Sequence, residues 1–201
     1  MNFENSPFSI LLFASTIIIS LYILYINQNL FIKCMLRPYE VYYNKKYYQL
    51  LTSGFLHADI THLIFNMLTF YFFGFQLESA IGSFNFLVIY FISMIAGNIF
   101  TVYQKKNDYE YASVGASGAI SGILFSFILI SPMSKLLIFP LPFPIPAWIF
   151  GILYLVWTYY SSRRTYDSIN HTAHLYGALA GLLSFIILEP KVIQIFLSYF
   201  F

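Results

Sequence analysis

The sequence predicts an all-α polytopic membrane protein with six transmembrane helices, and three observations support this fold class. Of its 201 residues, 59% are hydrophobic and only 9% are charged, whereas about a quarter of the residues in a soluble domain are charged. A soluble domain of this size could not bury so much apolar surface. The uncharged stretches are also long enough for membrane helices, which take about 20 residues to cross a bilayer. Six such stretches occur, at roughly 5–32, 60–77, 79–104, 111–134, 136–162 and 168–188.

Each uncharged stretch is assigned one span within a single membrane domain of residues 1–201. The residues before the first stretch include Glu4 and no Lys or Arg, which favours a membrane span over a cleaved signal peptide. The prolines from Pro140 to Pro146 predict an extended entry to the fifth span, because proline disfavours helix at the preceding residue. The predicted spans are roughly 8–31, 60–77, 84–104, 114–131, 145–162 and 171–188.

Six spans place the first, third and fifth loops on the same side of the membrane, here called the odd-loop face. These loops, roughly 33–56, 105–112 and 163–171, carry eight basic residues, against two on the other face. The eight are Lys33, Arg37, Lys45, Lys46, Lys105, Lys106, Arg163 and Arg164. By the positive-inside rule, this excess predicts a cytoplasmic odd-loop face. Because the basic residues form pairs rather than a patch, the sequence predicts contact with the lipid bilayer and none with nucleic acid.

Small and polar residues define one face on each of the fourth and sixth spans. In the fourth span the face occupies an arc of about 140° with almost no side-chain bulk. Its residues are Ser117, Gly118, Ser121 and Gly122. The sixth span repeats the pattern at i, i+3, i+4 and i+7 with His174, Gly177, Ala178 and Gly181. Since small residues allow membrane helices to approach closely, we predict packing through Gly122, Gly177 and Gly181. Ser117 and His174 would then lie at a similar depth, near the odd-loop face.

A serine and a histidine in contact could carry out nucleophilic catalysis. A serine hydroxyl is a weak nucleophile until a base takes its proton, and neutral histidine is such a base. His62 and Asn66, four residues apart on the second span, share a helix face and could donate hydrogen bonds to an oxyanion, as could the backbone N–H of Ser117. No acidic residue within the spans is placed to orient His174, which favours a Ser–His dyad over a triad. The alternative is that these residues only pack helices or form interhelical hydrogen bonds.

Four groups of motifs, in this order along spans two to six, resemble the rhomboid family of intramembrane serine proteases. They are Phe55-Leu56-His57 followed by His62-Leu63-Ile64-Phe65-Asn66, Phe73-Gly74 and Leu77-Glu78; Gly115-Ala116-Ser117-Gly118; the proline-rich entry to span five; and Ala173-His174-Leu175 with Gly177 and Gly181. The combination and order of these motifs are far more specific than any one of them.

The resemblance implies a rhomboid-like bundle in which Ser117 is the nucleophile and His174 its base. It further implies that His62 and Asn66 are the donors on the oxyanion side, with Gly115 and Gly118 supporting them. The implied activity is hydrolysis of a peptide bond at or near the end of a transmembrane helix in a membrane-protein substrate. That chemistry uses no metal ion and no other cofactor.

Three features depart from the family pattern. Family members often carry Trp-Arg early in the first loop, where this chain has Tyr48-Gln49, so its headgroup contacts are expected to differ. An aromatic residue often follows the nucleophile by four positions and supports the histidine ring, but this chain has Ser121, so we expect a less constrained His174. Most rhomboids have a cytoplasmic N-terminus, which the basic residues here oppose. Following the family, we expect a bacterial inner or plasma membrane protein whose active site opens to the extracytoplasmic side.

Two other functions fit parts of the sequence. A catalytically inactive rhomboid relative that binds membrane proteins would be expected to lack Ser117 or His174, and both are present. A histidine-rich metal-binding or transport protein is the other alternative, since imidazole is a common zinc ligand. All four histidines lie at or near span ends on the odd-loop face: His57, His62, His171 and His174. Against a metal site, no carboxylate or thiol joins them inside the spans.

Overall fold

The computed structural model describes residues 5–137, 143–163 and 169–201, and most of these residues are helical. The helices are α1 Pro7–Tyr25, α2 Gln28–Cys34, α3 Pro38–Asn44, α4 Gln49–Thr52, α5 Ile60–Ile81, α6 Ser83–Lys105, α7 Ser117–Ile130, α8 Ala147–Ser161, α9 His171–Leu188 and α10 Val192–Leu197. A 3-10 turn at Ser53–Phe55 follows α4. Two short strands, β1 Lys135–Leu136 and β2 Ile145–Pro146, pair antiparallel between α7 and α8.

Each of the six longest described helices overlaps one of the six predicted spans. Four of them, α1, α5, α6 and α9, have 18 to 23 residues and are long and apolar enough to cross a membrane. The remaining two are shorter, with 14 residues in α7 and 15 in α8. A mostly helical membrane protein is therefore the observed class, while six crossings stay a prediction.

The helices differ from the predicted spans at several boundaries. The first span, 8–31, is not one helix: α1 ends at Tyr25, and the Asn27 side chain caps α2 by accepting from the backbone N of Leu30 at 3.2 Å. Asparagine is favoured at this capping position. The second span continues past 77 to Ile81. The fourth begins at Ser117 rather than at 114, because Gly115 has a non-helical φ of 128°. Of the predicted extended stretch from Pro140 to Pro146, residues 140–142 lie outside the described residues.

Helix α7 lies at the centre of the bundle. Every residue from Gly118 to Leu129 is buried, and α5, α6, α8 and α9 all pack against it. The chain before α7 is not helical, so its backbone groups need other partners. Ser113 pairs with Leu36 through two backbone hydrogen bonds of 2.9 and 3.0 Å, and Gly115 N donates to Ser53 O at 3.0 Å. These bonds hold the start of α7 against the loop that precedes α5.

The buried carboxylate of Glu78 joins α5 to α1. It accepts from the backbone N of Phe8 at 3.1 Å and of Ser9 at 2.6 Å, and from the Ser83 hydroxyl at 2.7 Å. A negative charge at a helix N-terminus is stabilised by the helix dipole and by backbone N–H groups that lack intrahelical partners. The Leu77-Glu78 motif therefore positions α1 in this fold.

Polar side chains also organise the loop in which Tyr48-Gln49 departs from the family pattern. Gln49 is buried, accepts from Arg37 N at 3.0 Å and donates to Lys33 O at 3.1 Å. The Tyr48 hydroxyl donates to the same Lys33 oxygen at 3.2 Å. Both residues thus bind the backbone of their own loop.

Candidate active site

The structure brings Ser117 and His174 into direct hydrogen-bond contact. Ser117 is the first residue of α7, and His174 lies in the first turn of α9. Ser117 Oγ and His174 Nε2 are 2.7 Å apart, within the range for a hydrogen bond. This is the contact that a serine nucleophile needs with its general base.

The contact exists because glycines let the backbones of α7 and α9 touch. A Cβ atom on Gly177 would lie 2.3 Å from the backbone oxygen of Gly118, and one on Gly181 would lie 2.3 Å from Cα of Gly122. No real side chain fits at such distances. Gly122, Gly177 and Gly181 therefore lie where the two helices are in closest contact. Gly118, expected beside the oxyanion, also lies at this helix interface.

His62 lies beside Ser117 across the backbone of Gly115. A Cβ on Gly115 would be 2.8 Å from Cε1 of His62 and 3.7 Å from Ser117 Oγ. Together with its φ of 128°, this contact leaves room only for glycine at this position. Gly115 thus lets the imidazole of His62 approach Ser117.

Behind His62 lies a buried polar pair, Asn66 and His57. Asn66 Nδ2 donates to His62 O at 3.0 Å, and the rings of His57 and His62 meet edge-on with centroids 4.9 Å apart. The Ser20 hydroxyl of α1 donates to Phe55 O at 2.8 Å and lies 2.9 Å from His57 Nδ1. A serine hydroxyl has one proton, and Ser20 gives it to Phe55 O. The Ser20 oxygen can therefore only accept from His57, whose Nδ1 must carry a proton. Burial lowers the pKa of His57 to about 3, so this histidine is neutral.

A small polar cavity adjoins Ser117, and no pattern in the sequence predicts it. It holds a volume of about 10 Å³ for the centre of a water molecule, about the minimum for one water. Besides Ser117, its polar lining consists of Ser53, Asn98, Ser113 and Asn170. Asn98 donates to Ser53 Oγ at 3.2 Å and Asn170 to Ser113 Oγ at 3.1 Å. These four residues come from the loop before α5, from α6, and from the residues leading into α7 and α9.

The ring of His174 has an aromatic neighbour even though position 121 is a serine. Tyr154 of α8 lies beside His174, with ring centroids 6.4 Å apart and ring planes 20° from parallel. The sequence placed no functional residue on α8, because nothing in its pattern distinguishes Tyr154 from the other aromatic residues of that helix.

The four histidines form two pairs rather than one cluster. His57 meets His62, and His171 meets His174 with ring centroids 6.0 Å apart. Within 5–137, 143–163 and 169–201, no group of three or more His, Cys, Asp or Glu residues could hold a metal ion. The metal-binding alternative therefore gains no support from the geometry.

Fold and site together define a class: a helical integral membrane protein with a serine and a histidine in contact at the start of a buried helix. Comparison with known proteins identifies the family. Residues 44–191 match the Rhomboid domain model, and the chain belongs to the rhomboid family.

Relatives come from several kinds of organism. The chain is 34% identical over 134 residues to Rhomboid protein 1, mitochondrial, of Saccharomyces cerevisiae, covering 65% of this chain and 39% of the yeast protein. It is 35% identical over 158 residues to the rhomboid homologue YdcA of Bacillus subtilis, covering 74% of this chain and 71% of that protein. It is 36% identical over 89 residues to Rhomboid protease AarA of Providencia stuartii, covering 38% of this chain and 32% of that protein. The chain thus spans about two fifths of the yeast relative's length.

Proposed function

We propose that this protein is an intramembrane serine endopeptidase that uses Ser117 and His174 as a catalytic dyad. The observation that carries the proposal is the 2.7 Å contact between Ser117 Oγ and His174 Nε2. Membership of a family with members named rhomboid proteases supports the same function. The inactive alternative, a membrane-protein binder, has no need of this contact.

The proposed reaction begins with proton transfer from Ser117 Oγ to His174 Nε2. Oγ bonds to the carbonyl carbon of the scissile peptide, whose oxygen takes the negative charge of the tetrahedral intermediate. The intermediate collapses as the C–N bond breaks, and His174 gives its proton to the leaving nitrogen. The amine leaves with the C-terminal fragment, and the N-terminal fragment stays bound as an ester between Ser117 Oγ and its new C-terminal carbonyl carbon.

The oxyanion requires hydrogen-bond donors on the opposite side of Ser117 from His174. We assign this role to the His62 ring, the Asn66 amide and the backbone N–H of Ser117. Residues at a helix start have N–H groups without intrahelical partners, and fixed donors in a water-poor site stabilise developing charge strongly. The approach of His62 to within contact of Gly115 supports its part in this assignment.

Hydrolysis of the ester requires a water molecule inside the protein. The polar cavity beside Ser117 offers a place for one, with hydroxyl and amide groups to bind it. His174 would take a proton from this water, whose oxygen attacks the ester carbon. Ser117 Oγ then leaves and recovers the proton, which restores the starting state.

The substrate class follows from the position of the dyad. Ser117 and His174 both lie at the beginning of their helices, so we propose cleavage at or near the end of a substrate's transmembrane helix. The carbonyl of a helical peptide bond is already hydrogen-bonded, so the cleaved segment must unwind locally. Cleavage mapped to the centre of a poly-leucine helix would contradict this.

The proposed activity can be tested with a fluorogenic transmembrane peptide and a serine-reactive fluorophosphonate, both applied to purified protein in detergent. We expect turnover and labelling in the wild type and neither in Ser117→Ala. Ser126→Ala is the matched control, because Ser126 is another buried serine of α7, bonded to Gly181 O at 3.3 Å. A folded wild-type protein that neither cleaves nor labels would favour the inactive-binder alternative.

Orientation and cellular location form a second part of the proposal. We propose that the active site opens to the extracytoplasmic side of a bacterial membrane, although matched relatives include mitochondrial proteins. Cys34 is the sole cysteine, ends α2 on the odd-loop face and is partly exposed. A membrane-impermeant maleimide should therefore label Cys34 in intact cells. Labelling only after lysis would place the odd-loop face inside, as the basic residues predict.

A further inference from the structure

The hydroxyl of Ser121 connects α8 to the backbone of the nucleophile. Ser121 Oγ donates to the Ser117 carbonyl oxygen at 2.8 Å and lies 2.7 Å from the Tyr154 hydroxyl. A serine hydroxyl has one proton, and the carbonyl takes it. Tyr154 must therefore be the donor in its contact with Ser121. A directed chain of hydrogen bonds thus runs from Tyr154 through Ser121 to Ser117.

The ring of Tyr154 also faces the base. Its plane is 20° from parallel with the His174 ring, at a centroid distance of 6.4 Å, which lies within the range of offset stacking. Trp157, one turn further along α8, meets His171 edge-on at 4.6 Å and Tyr154 at 6.3 Å. Four rings from α8 and α9 therefore pack together, and His174 belongs to this cluster.

We infer that Tyr154 is the positioning residue that holds the imidazole of His174 toward Ser117, with Ser121 as its anchor. The hydroxyl of Tyr154 is fixed relative to the nucleophile, and its ring is fixed relative to the base. One side chain thus sets the relation between the two catalytic groups. The aromatic support expected at position 121 comes instead from Tyr154 of α8. Because residue 121 is a serine, its hydroxyl can accept a hydrogen bond from the Tyr154 hydroxyl.

The anchor adds a directional contact between α7 and α8, whose other contacts include Trp148 and Phe150 packed against Leu124 and Ile128. Only small or polar residues of α8 are buried, whereas several large ones are exposed. The buried residues are Ala147, Gly151, Thr158 and Ser161. The hydrogen bond to Ser121 therefore fixes the hydroxyl of Tyr154 relative to α7, whereas apolar contacts are non-directional.

This inference rests on the proposed function for its kinetic test. In Tyr154→Ala we expect kcat to fall by about 10 to 100-fold with KM within about twofold, since the substrate still binds and only the base is misplaced. Tyr154→Phe and Ser121→Ala keep the ring and lose the anchor, so each should lose about 3 to 10-fold in kcat. Tyr160→Ala removes an exposed tyrosine of the same helix and is the matched control.

A second readout does not depend on hydrolysis. In protein with 15N-labelled histidine, assigned with His174→Gln, the ring nitrogens of His174 should give one sharp set of signals. Tyr154→Ala should broaden or split that set and leave the signals of His57 unchanged. If wild type shows no turnover but His174 responds in this way, the positioning role stands and the proposed function fails. The inference would be overturned if all three variants kept wild-type kcat and unaltered His174 signals. These variants are Tyr154→Phe, Ser121→Ala and Tyr154→Ala.

Discussion

Replacing Gly177 with alanine tests whether the contact between α7 and α9 sets the geometry of the dyad. The added Cβ would lie 2.3 Å from the Gly118 backbone oxygen and 2.8 Å from its carbonyl carbon. Ordinary contacts start near 3.4 Å, so α9 would have to retreat from α7 by about 1 Å. Both atoms belong to the backbone of a buried helix and cannot rotate away. His174 lies one turn before Gly177 and would move with it.

The expected consequence is a slow enzyme that still binds substrate. A shift of about 1 Å along the 2.7 Å contact between Ser117 and His174 breaks their hydrogen bond. Such misplacement can cost roughly a hundredfold in rate, so kcat should fall to about a hundredth with KM little changed. Forced overpacking should also cost about 1–3 kcal/mol of stability.

The assay is cleavage of the fluorogenic transmembrane peptide, with a thermal unfolding curve for each variant. Gly151→Ala is the matched control, because its Cβ would meet side chains and no backbone: the flexible end of Ile128 at 3.2 Å and the ring of Phe125 at 3.6 Å. It should keep kcat within about threefold. A folded Gly177→Ala protein with wild-type kcat would refute the contact between the two helices at this point.

Four further predictions follow from the same structure. Ser117→Ala and His174→Ala should each abolish turnover, and the double variant should be no worse than either, because a nucleophile and its base act as a unit; additive losses would contradict the dyad. Asn66→Ala should lower kcat by about 10 to 1,000-fold with KM nearly unchanged; a protein that is unstable but fast would instead make Asn66 a packing residue. His57 has its pKa lowered from 6.5 to about 3 when folded, so the unfolded chain binds the extra proton first as pH falls. Stability should be full above about pH 6.5 and decline below it by about 1.4 kcal/mol per pH unit, and unfolding curves of His57→Gln should lack this part of the slope. Glu78→Gln should lower the unfolding temperature, since losing charged hydrogen bonds to the start of α1 costs on the order of 1–3 kcal/mol; an unchanged transition would show that the cap contributes nothing.

Several parts of the site could be predicted because they follow helix periodicity. On one helix Ser117 and Ser121, like Gly118 and Gly122, are four residues apart, and on another His174, Gly177 and Gly181 are spaced three and four residues apart. Such small-residue repeats are a sequence signal for close helix contact in membranes. Ser117 Oγ and His174 Nε2, at the ends of those two faces, are 2.7 Å apart.

The supporting residues have no such signal. Tyr154 is one of 18 tyrosines in the chain, and its role depends on a hydroxyl that reaches Ser121 from a different helix. Ser20 of α1 meets His57 across 37 positions of sequence. Hydrogen bonds of this kind depend on side-chain rotamers and on the rotation of each helix about its axis. Local sequence patterns predict neither.

The sequence by itself therefore determined the membrane class, the approximate position of each long helix and the pair of small faces that carries Ser117 and His174. These properties depend on hydrophobicity and side-chain volume, which act locally and repeat along a helix. Only the tertiary structure decided that α1 stops at Tyr25, that Glu78 caps α1, that a polar cavity adjoins Ser117 and that the ring beside His174 comes from α8. Each of these depends on directional contacts between residues far apart in the chain, and such contacts become defined only when the helices pack.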